Sequence, residues 1–193
     1  MALWGITDAD EAKPKWLTTA QKKEVFANNS GWVVEAGSTM TGNDNADAQP
    51  EVLCCVGDLA TGIGAADITE IEFITTAFDK SDGGNIDVRV RFNEQVTVNT
   101  SGGTPTLTIT NDTPSRNLTA TYLSGSTTNE LIFRKTIAAA NAATNAGDVL
   151  SIAANAMALA SGTIKDTADG TTNATITNSG AIGTAAGTIT VAA

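Results

Sequence analysis

Histidine does not occur in this chain. Without it neither a Ser-His-Asp nor a Cys-His nucleophilic centre can be assembled, and zinc, haem and non-haem iron sites lose their commonest nitrogen ligand. Cysteine is almost as scarce: Cys54 and Cys55 stand side by side. Neighbours in a strand point to opposite faces, so a bond between them would be strained. They read as two buried, reduced thiols acting as small hydrophobes, which fits synthesis in a reducing cytosol. Long apolar runs are missing too, because charged, Gly, Asn or Thr residues interrupt every stretch, and no membrane span is expected. Only 17% of residues are charged, and the formal net charge of -10 repels nucleic acid. Thr, Ala, Gly and Asn take the place of long helix formers, so the expected fold is mainly β.

Aromatic residues are few, and their placement is uneven. Trp4, Trp16 and Trp32 and four of the seven lysines, Lys13, Lys15, Lys22 and Lys23, fall within the first 32 residues. Asp8, Asp10 and Glu11 break the stretch where a secretory signal would need an unbroken apolar core, so the N-terminal segment reads as an arm and not a leader. Large rings and cationic stems gathered at one end supply contact area for a partner, which makes Trp4, Lys13, Lys15 and Trp16 the candidate docking residues. Two plainer readings stand beside this: the tryptophans fill a small local core, and the lysines form a solvated helix face.

Along the chain, Thr18-Thr-Ala-Gln21 has the spacing of a capping box, and the Gln21-Lys-Lys-Glu-Val-Phe-Ala27 that follows is expected to make two helical turns ending at Asn28, Asn29 and Gly31. Gly31–Ala36 and Val52–Val56 are β-prone runs that pair as a hairpin across a polar loop. Leu59–Ala66 reads as a flexible connector. From Asp67 the period-2 pattern sets in: Ile86, Val88, Val90 and Phe92 share one face, and Asp87, Arg89 and Arg91 the other. Further strands are expected at 68–75, 95–98, 106–110, 118–123, 130–135, 149–152, 175–177 and 188–191, with a crossing loop over 136–144. The expected organisation is an N-terminal arm and docking module, residues 1–66, with one short helix and a hairpin, followed by an antiparallel β-sandwich, residues 67–193.

The runs Val88-Arg-Val-Arg-Phe-Asn-Glu-Gln-Val-Thr-Val98, Gly103-Thr-Pro-Thr-Leu-Thr-Ile109, Ala120-Thr-Tyr-Leu-Ser-Gly125, Glu130-Leu-Ile-Phe133 and Gly147-Asp-Val-Leu-Ser-Ile-Ala-Ala-Asn155, with Gly162-Thr-Ile-Lys-Asp166, resemble the bacterial immunoglobulin-like repeats of large surface adhesins. That likeness covers roughly residues 67–175, in a single copy where adhesins carry many. Leu3-Trp-Gly-Ile-Thr-Asp-Ala-Asp-Glu-Ala-Lys-Pro-Lys-Trp-Leu17 resembles the openings of small virion structural proteins of marine tailed bacteriophages, including those of cyanobacteria. Together they imply an immunoglobulin-like capsid decoration protein. The resemblance implies a major capsid protein as partner, made and met in the host cytoplasm, with the protein ending on the capsid surface of the virion. It implies no cofactor, no metal, no nucleic acid and no membrane, and leaves room for a host-surface contact by the outer domain.

Other motifs carry less. Asp79, Asp82, Asp166 and Asp169 sit in Gly-containing loops without the ligand ladder of an EF-hand, so ordinary Asx turns are expected. Gly62-Ile-Gly64 lacks the third glycine of a dinucleotide fingerprint. Glycosylation triplets at Asn28, Asn99, Asn111, Asn117 and Asn173 arise by chance in so Asn- and Thr-rich a chain. Three function classes follow: a non-enzymatic decoration protein, an adhesive module of a tail fibre or cell surface binding glycan or host protein, and, least favoured, a glycan-acting enzyme with Glu94 and Asp87 as paired carboxylates. Straight alternation from Asp87 puts Glu94 on the opposite face, which argues against the last.

Overall fold

The computed structural model describes residues 13–38, 40, 45–113 and 115–193. It is mainly β, as the composition led us to expect, with three short helices among the described residues. None of these helices is long and apolar enough to cross a membrane.

The chain enters through α1 (Thr19–Lys23). Both halves of the capping box form: the Gln21 backbone N–H donates to Thr18 Oγ1 at 3.2 Å, and the Thr18 N–H donates to Gln21 Oε1 at 2.9 Å. The helix stops four residues short of the expected end. Val25 and Phe26 are β-branched and aromatic, and from there the chain becomes β1 (Val25–Asn28), antiparallel to β2 (Gly31–Val34) with Val25 opposite Val34. Burying both of those side chains outweighs one more turn of solvated helix. The hairpin expected between β2 and β3 (Glu51–Cys55) is present. Gly31 is required there, since it has φ +134° and a Cβ would lie 2.0 Å from the Cys54 carbonyl oxygen.

Two further expectations for this region fail. The segment taken as a flexible connector forms α2 (Leu59–Gly62), and Leu59, Ala60 and Ile63 turn into a small core with Leu17, Val25, Ala27, Trp32 and Val34. Nor are the two thiols both buried. Cys54 packs on that core, half-buried, while Cys55 is exposed on the outer face of β3, a strand whose ladder runs on one side to β2. Cys54 shares the core with its neighbour Leu53, because the β2–β3 register shifts there, and Cys55 falls on the uncovered face.

A second, larger core gathers residues from Ala66 to Val191. Around it lie β4 (Ile68–Phe73), β5 (Phe78–Asp79), β6 (Gly84–Asn99), β7 (Thr106–Asn111), β8 (Leu118–Ser124), β9 (Thr128–Ile137), β10 (Val149–Ser151), β11 (Met157–Ala158), β12 (Thr163–Asp166), α3 (Gly180–Ala185) and β13 (Ile189–Ala192). Strands β6, β9, β8 and β7 run side by side, and β10, β13 and β5 continue from β7 so that both faces supply side chains to one interior. The expected strand at 175–177 is absent: Thr175 makes a single bridge to Asp67, and the chain goes on to α3, capped by Ser179.

The 16-residue strand β6 organises everything else. It absorbs two expected strands, 86–92 and 95–98, which differ in register because a bulge falls between Arg91 and Val96 in its pairing with β9. Phe92, Asn93, Glu94 and Gln95 do not alternate cleanly across that bulge, and the first three are all buried. At the same place β1 joins β6 in parallel, Ala27 opposite Glu94. The N-terminal module and the sandwich therefore share one continuous hydrogen-bonded sheet.

Candidate functional site

Lys13-Pro-Lys-Trp-Leu17 makes a tight turn, with the Leu17 N–H donating to the Pro14 carbonyl at 3.2 Å. Leu17 enters the N-terminal core while the turn pushes its neighbour outward, so that Trp16 stands 61% exposed beside an exposed Lys15. Lys13 points the other way, and its Nζ donates to the Lys22 carbonyl at 2.7 Å. Burial lowers its pKa to about 8, and the nearby Arg91 adds to that, against the pull of Glu35 and Glu70. The three tryptophans thus divide: Trp32 is the core plug with no exposed surface, Trp16 is a surface ring, and Trp4 lies outside the described residues. Of the four sequence-derived docking residues the fold leaves Lys15 and Trp16 together at the surface and turns Lys13 inward.

Behind this turn lies a charged cluster that the alternating pattern of β6 did not disclose. Arg91 is 6% exposed. Its guanidinium donates to Glu130 Oε1 at 2.6 Å, Glu70 Oε2 at 2.8 Å, Glu35 Oε1 at 2.9 Å and Glu72 Oε1 at 3.2 Å. Arg89 pairs with Glu72 and with Glu130 at 3.2 Å, and Lys23 pairs with Glu70. Burial works against the charge of Arg91, but Glu130 and Glu35 more than compensate, so its proton is held even more firmly than usual. Burial also pushes Glu70 upward, and the bonds from Lys23 and Arg91 reverse this and leave it below the ordinary carboxylate range. Glu35 goes the other way: burial and the neighbouring Glu130 raise it. Its second oxygen accepts from Asn129 Nδ2 at 3.2 Å. Chemically the cluster is a lock, because one guanidinium joins the end of β2 to β4 and β9. It also forms one wall of an open cleft of about 760 Å³ lined by Glu24, Glu35, Ser38, Arg89, Asn129 and Glu130.

The paired-carboxylate idea, Glu94 with Asp87, does not survive in the structure. Asp87 accepts two bonds from Arg134, at 2.7 and 2.6 Å, on the outer face of the sheet. Glu94 is fully buried and has a different acid for a neighbour, Asp166, itself 2% exposed. Burial and the charge of Asp169 raise Asp166, against the Ala168 N–H bond and the neighbouring Glu94. Burying two carboxyl groups side by side disfavours ionising both. This pair sits where β1 meets β6, directly under the seam between module and sandwich.

The loop aspartates make local turns. Asp79 Oδ1 accepts from the Ser81 N–H at 2.7 Å, Asp166 Oδ1 from the Ala168 N–H at 2.7 Å, and Asp169 Oδ1 from the N–H groups of Thr171 and Thr172 at 2.7 and 2.8 Å. The bonds from Thr172 and Thr171 bring Asp169 down to about 2. Among the described residues no group of three or more His, Cys, Asp or Glu side chains is placed to hold a metal ion. The sequence carried one neglected signal for the Arg91 cluster, four arginines in an acidic chain with two of them on one strand face. No protein-family model, curated protein or solved structure matches the chain.

Proposed function

We propose that this chain is a non-enzymatic phage virion structural protein, a capsid decoration or cement protein. Its N-terminal module docks on the major capsid protein of the shell, and its sandwich projects outward. The observation that carries this reading is Trp16, an indole 61% exposed next to Lys15 on a capped turn whose Leu17 enters the core and whose Lys13 bonds the Lys22 carbonyl. A large ring held out on a fixed support is the feature that interface cores are built from. The Arg91 lock supports it further, because a docking module must hand its load to the projecting domain. The test is saturation binding of the full chain to expanded capsids. Trp16→Ala is expected to weaken binding by on the order of 2 kcal/mol, with an unchanged melting curve; unchanged affinity would remove the basis of the proposal.

The adhesive reading rests on Leu123, which is 47% exposed near the end of β8. The single tyrosine does not add to it. Tyr122 stacks edge-on against Phe133 with centroids 6.1 Å apart, and its hydroxyl accepts from the Ser126 N–H. Binding to whole bacterial cells that Leu123→Asp abolishes, without capsid binding, would favour that reading.

A further inference from the structure

Between α1, β4 and α3 a groove of about 480 Å³ opens beside the docking turn. Its floor comes from α3. Gly183 packs so closely on the sandwich that a Cβ would lie 2.4 Å from the Ile152 carbonyl oxygen, and this draws the helix flat against β4 and the core. With that face fixed, Ala181 and Ala185, one helical turn apart, look outward over the partly buried Ile182. The opposite rim is cationic: Lys13, Lys22 and Lys23 of the N-terminal module against one acid, Glu70. Lys23 is engaged by Glu70, whereas Lys22 makes no ion pair among the described residues. In a chain of net charge -10 this is a local reversal of sign over an apolar floor.

We propose that this groove seats a short acidic segment of the shell protein, with an apolar side chain laid over Ala181 and Ala185 and carboxylates against Lys22 and Lys13. The ligand chemistry follows from the groove itself; the identity of the partner rests on the decoration reading. Charge complementarity and an alanine-lined floor favour a peptide of alternating acidic and apolar residues over a basic or fully apolar one. The groups facing the rim are Lys22 and Lys23 of α1, Glu70 of β4, Arg91 of β6 and Glu35 beyond β2, while α3 brings no titratable group. Because Lys13 already titrates near pH 8, an arriving carboxylate favours its charged form. Binding then takes up protons, and affinity falls as pH rises from 7 to 9.

The experiment uses the full chain and a fluorescein-labelled peptide of alternating Glu and Leu, with a Lys-Leu peptide of equal length as control. Ala185→Glu and Lys22→Glu, each first shown to melt like the parent, are expected to weaken Glu-Leu binding at least tenfold, and the parent is expected to prefer the acidic peptide by a similar factor. Equal binding of both peptides, or no effect of either variant, overturns the proposal. Deleting residues 1–12 provides a second check. A tenfold gain in peptide affinity would make Asp8, Asp10 and Glu11 of the chain itself the natural occupants, and the shell segment would fall. Capsid binding by the same variants separates the two readings. If they saturate capsids as the parent does, the groove proposal fails and decoration stands. If the parent takes the peptide but no capsid, the shell partner fails with the decoration reading, and the ligand chemistry of the groove stands.

Discussion

Replacing Asp166 by Asn should flatten the pH dependence of stability above the ordinary carboxyl range. Asp166 is 2% exposed, and burial together with the charge of Asp169 raises its pKa, so the folded protein retains a proton there that the unfolded chain gives up above 3.8, the ordinary value for this side chain. The folded-state pKa is raised. The resulting stability is complete below 3.8 and is lost as pH climbs through the folded-state value, because over that interval the native state binds more protons than the unfolded one. One such site gives a slope of at most about 1.4 kcal/mol per pH unit. Glu70 and Asp148 are lowered, so their contributions change only below the ordinary values of 4.5 and 3.8 and leave the window above 4.5 clear. Glu35 is raised as well, which is why the comparison must be parent against variant. Asn keeps an oxygen for the Ala168 N–H and carries no proton to lose. Denaturant unfolding at half-unit steps from pH 4.5 to 7.5 should show the variant gaining on the parent as pH rises, by about 1.4 kcal/mol for each unit by which the folded-state value exceeds 3.8. Parallel curves, or a parent that gains on the variant, would refute a proton retained on Asp166.

Arg91→Met leaves Glu35, Glu70 and Glu130 facing one another without their common cation, and should cost about 3–5 kcal/mol in denaturant unfolding. Gly31→Ala should lower the melting temperature through a loss of at least about 2 kcal/mol, since both its φ of +134° and the Cys54 carbonyl forbid a Cβ. In native protein a maleimide should label Cys55 quickly and Cys54 much more slowly, with both labelled after denaturation; equal native rates, read by mass spectrometry, would contradict the half-buried position of Cys54.

The longer strands from Asp67 onward were legible, unlike β5, β11 and β12, because alternation is a local property: Ile86, Val88, Val90 and Phe92 declare the buried face without reference to any distant residue. What the outer face meets is not local. Arg89 and Arg91 carry the same signal, yet Arg91 is buried because Glu35, 56 residues earlier, is brought over it. The helix end was misjudged for a related reason. Gln21 to Ala27 suits a helix on propensity, and only the partners Val33 and Val34 make a strand of Val25 and Phe26. Straight alternation set Glu94 on the face opposite Asp87, but its neighbour Asp166 was not legible, because only the pairing of β12 with β6 brings that residue there. Of the candidate docking residues, composition did not tell the exposed Trp16 from the buried Trp32, and the inward turn of Lys13 depends on a carbonyl at the end of α1.

β6 is also the path that mechanical load must take. It touches β1 at Glu94, β4 and β9 along its first half and β12 along its second. If the N-terminal module is held and the rest is pulled, the force enters β6 near its middle and spreads into three neighbours at once. Antiparallel ladders on both flanks then have to shear together, with the Arg91 guanidinium clamping their outer face. A molecule wired this way yields late and all at once, without peeling strand by strand from one end.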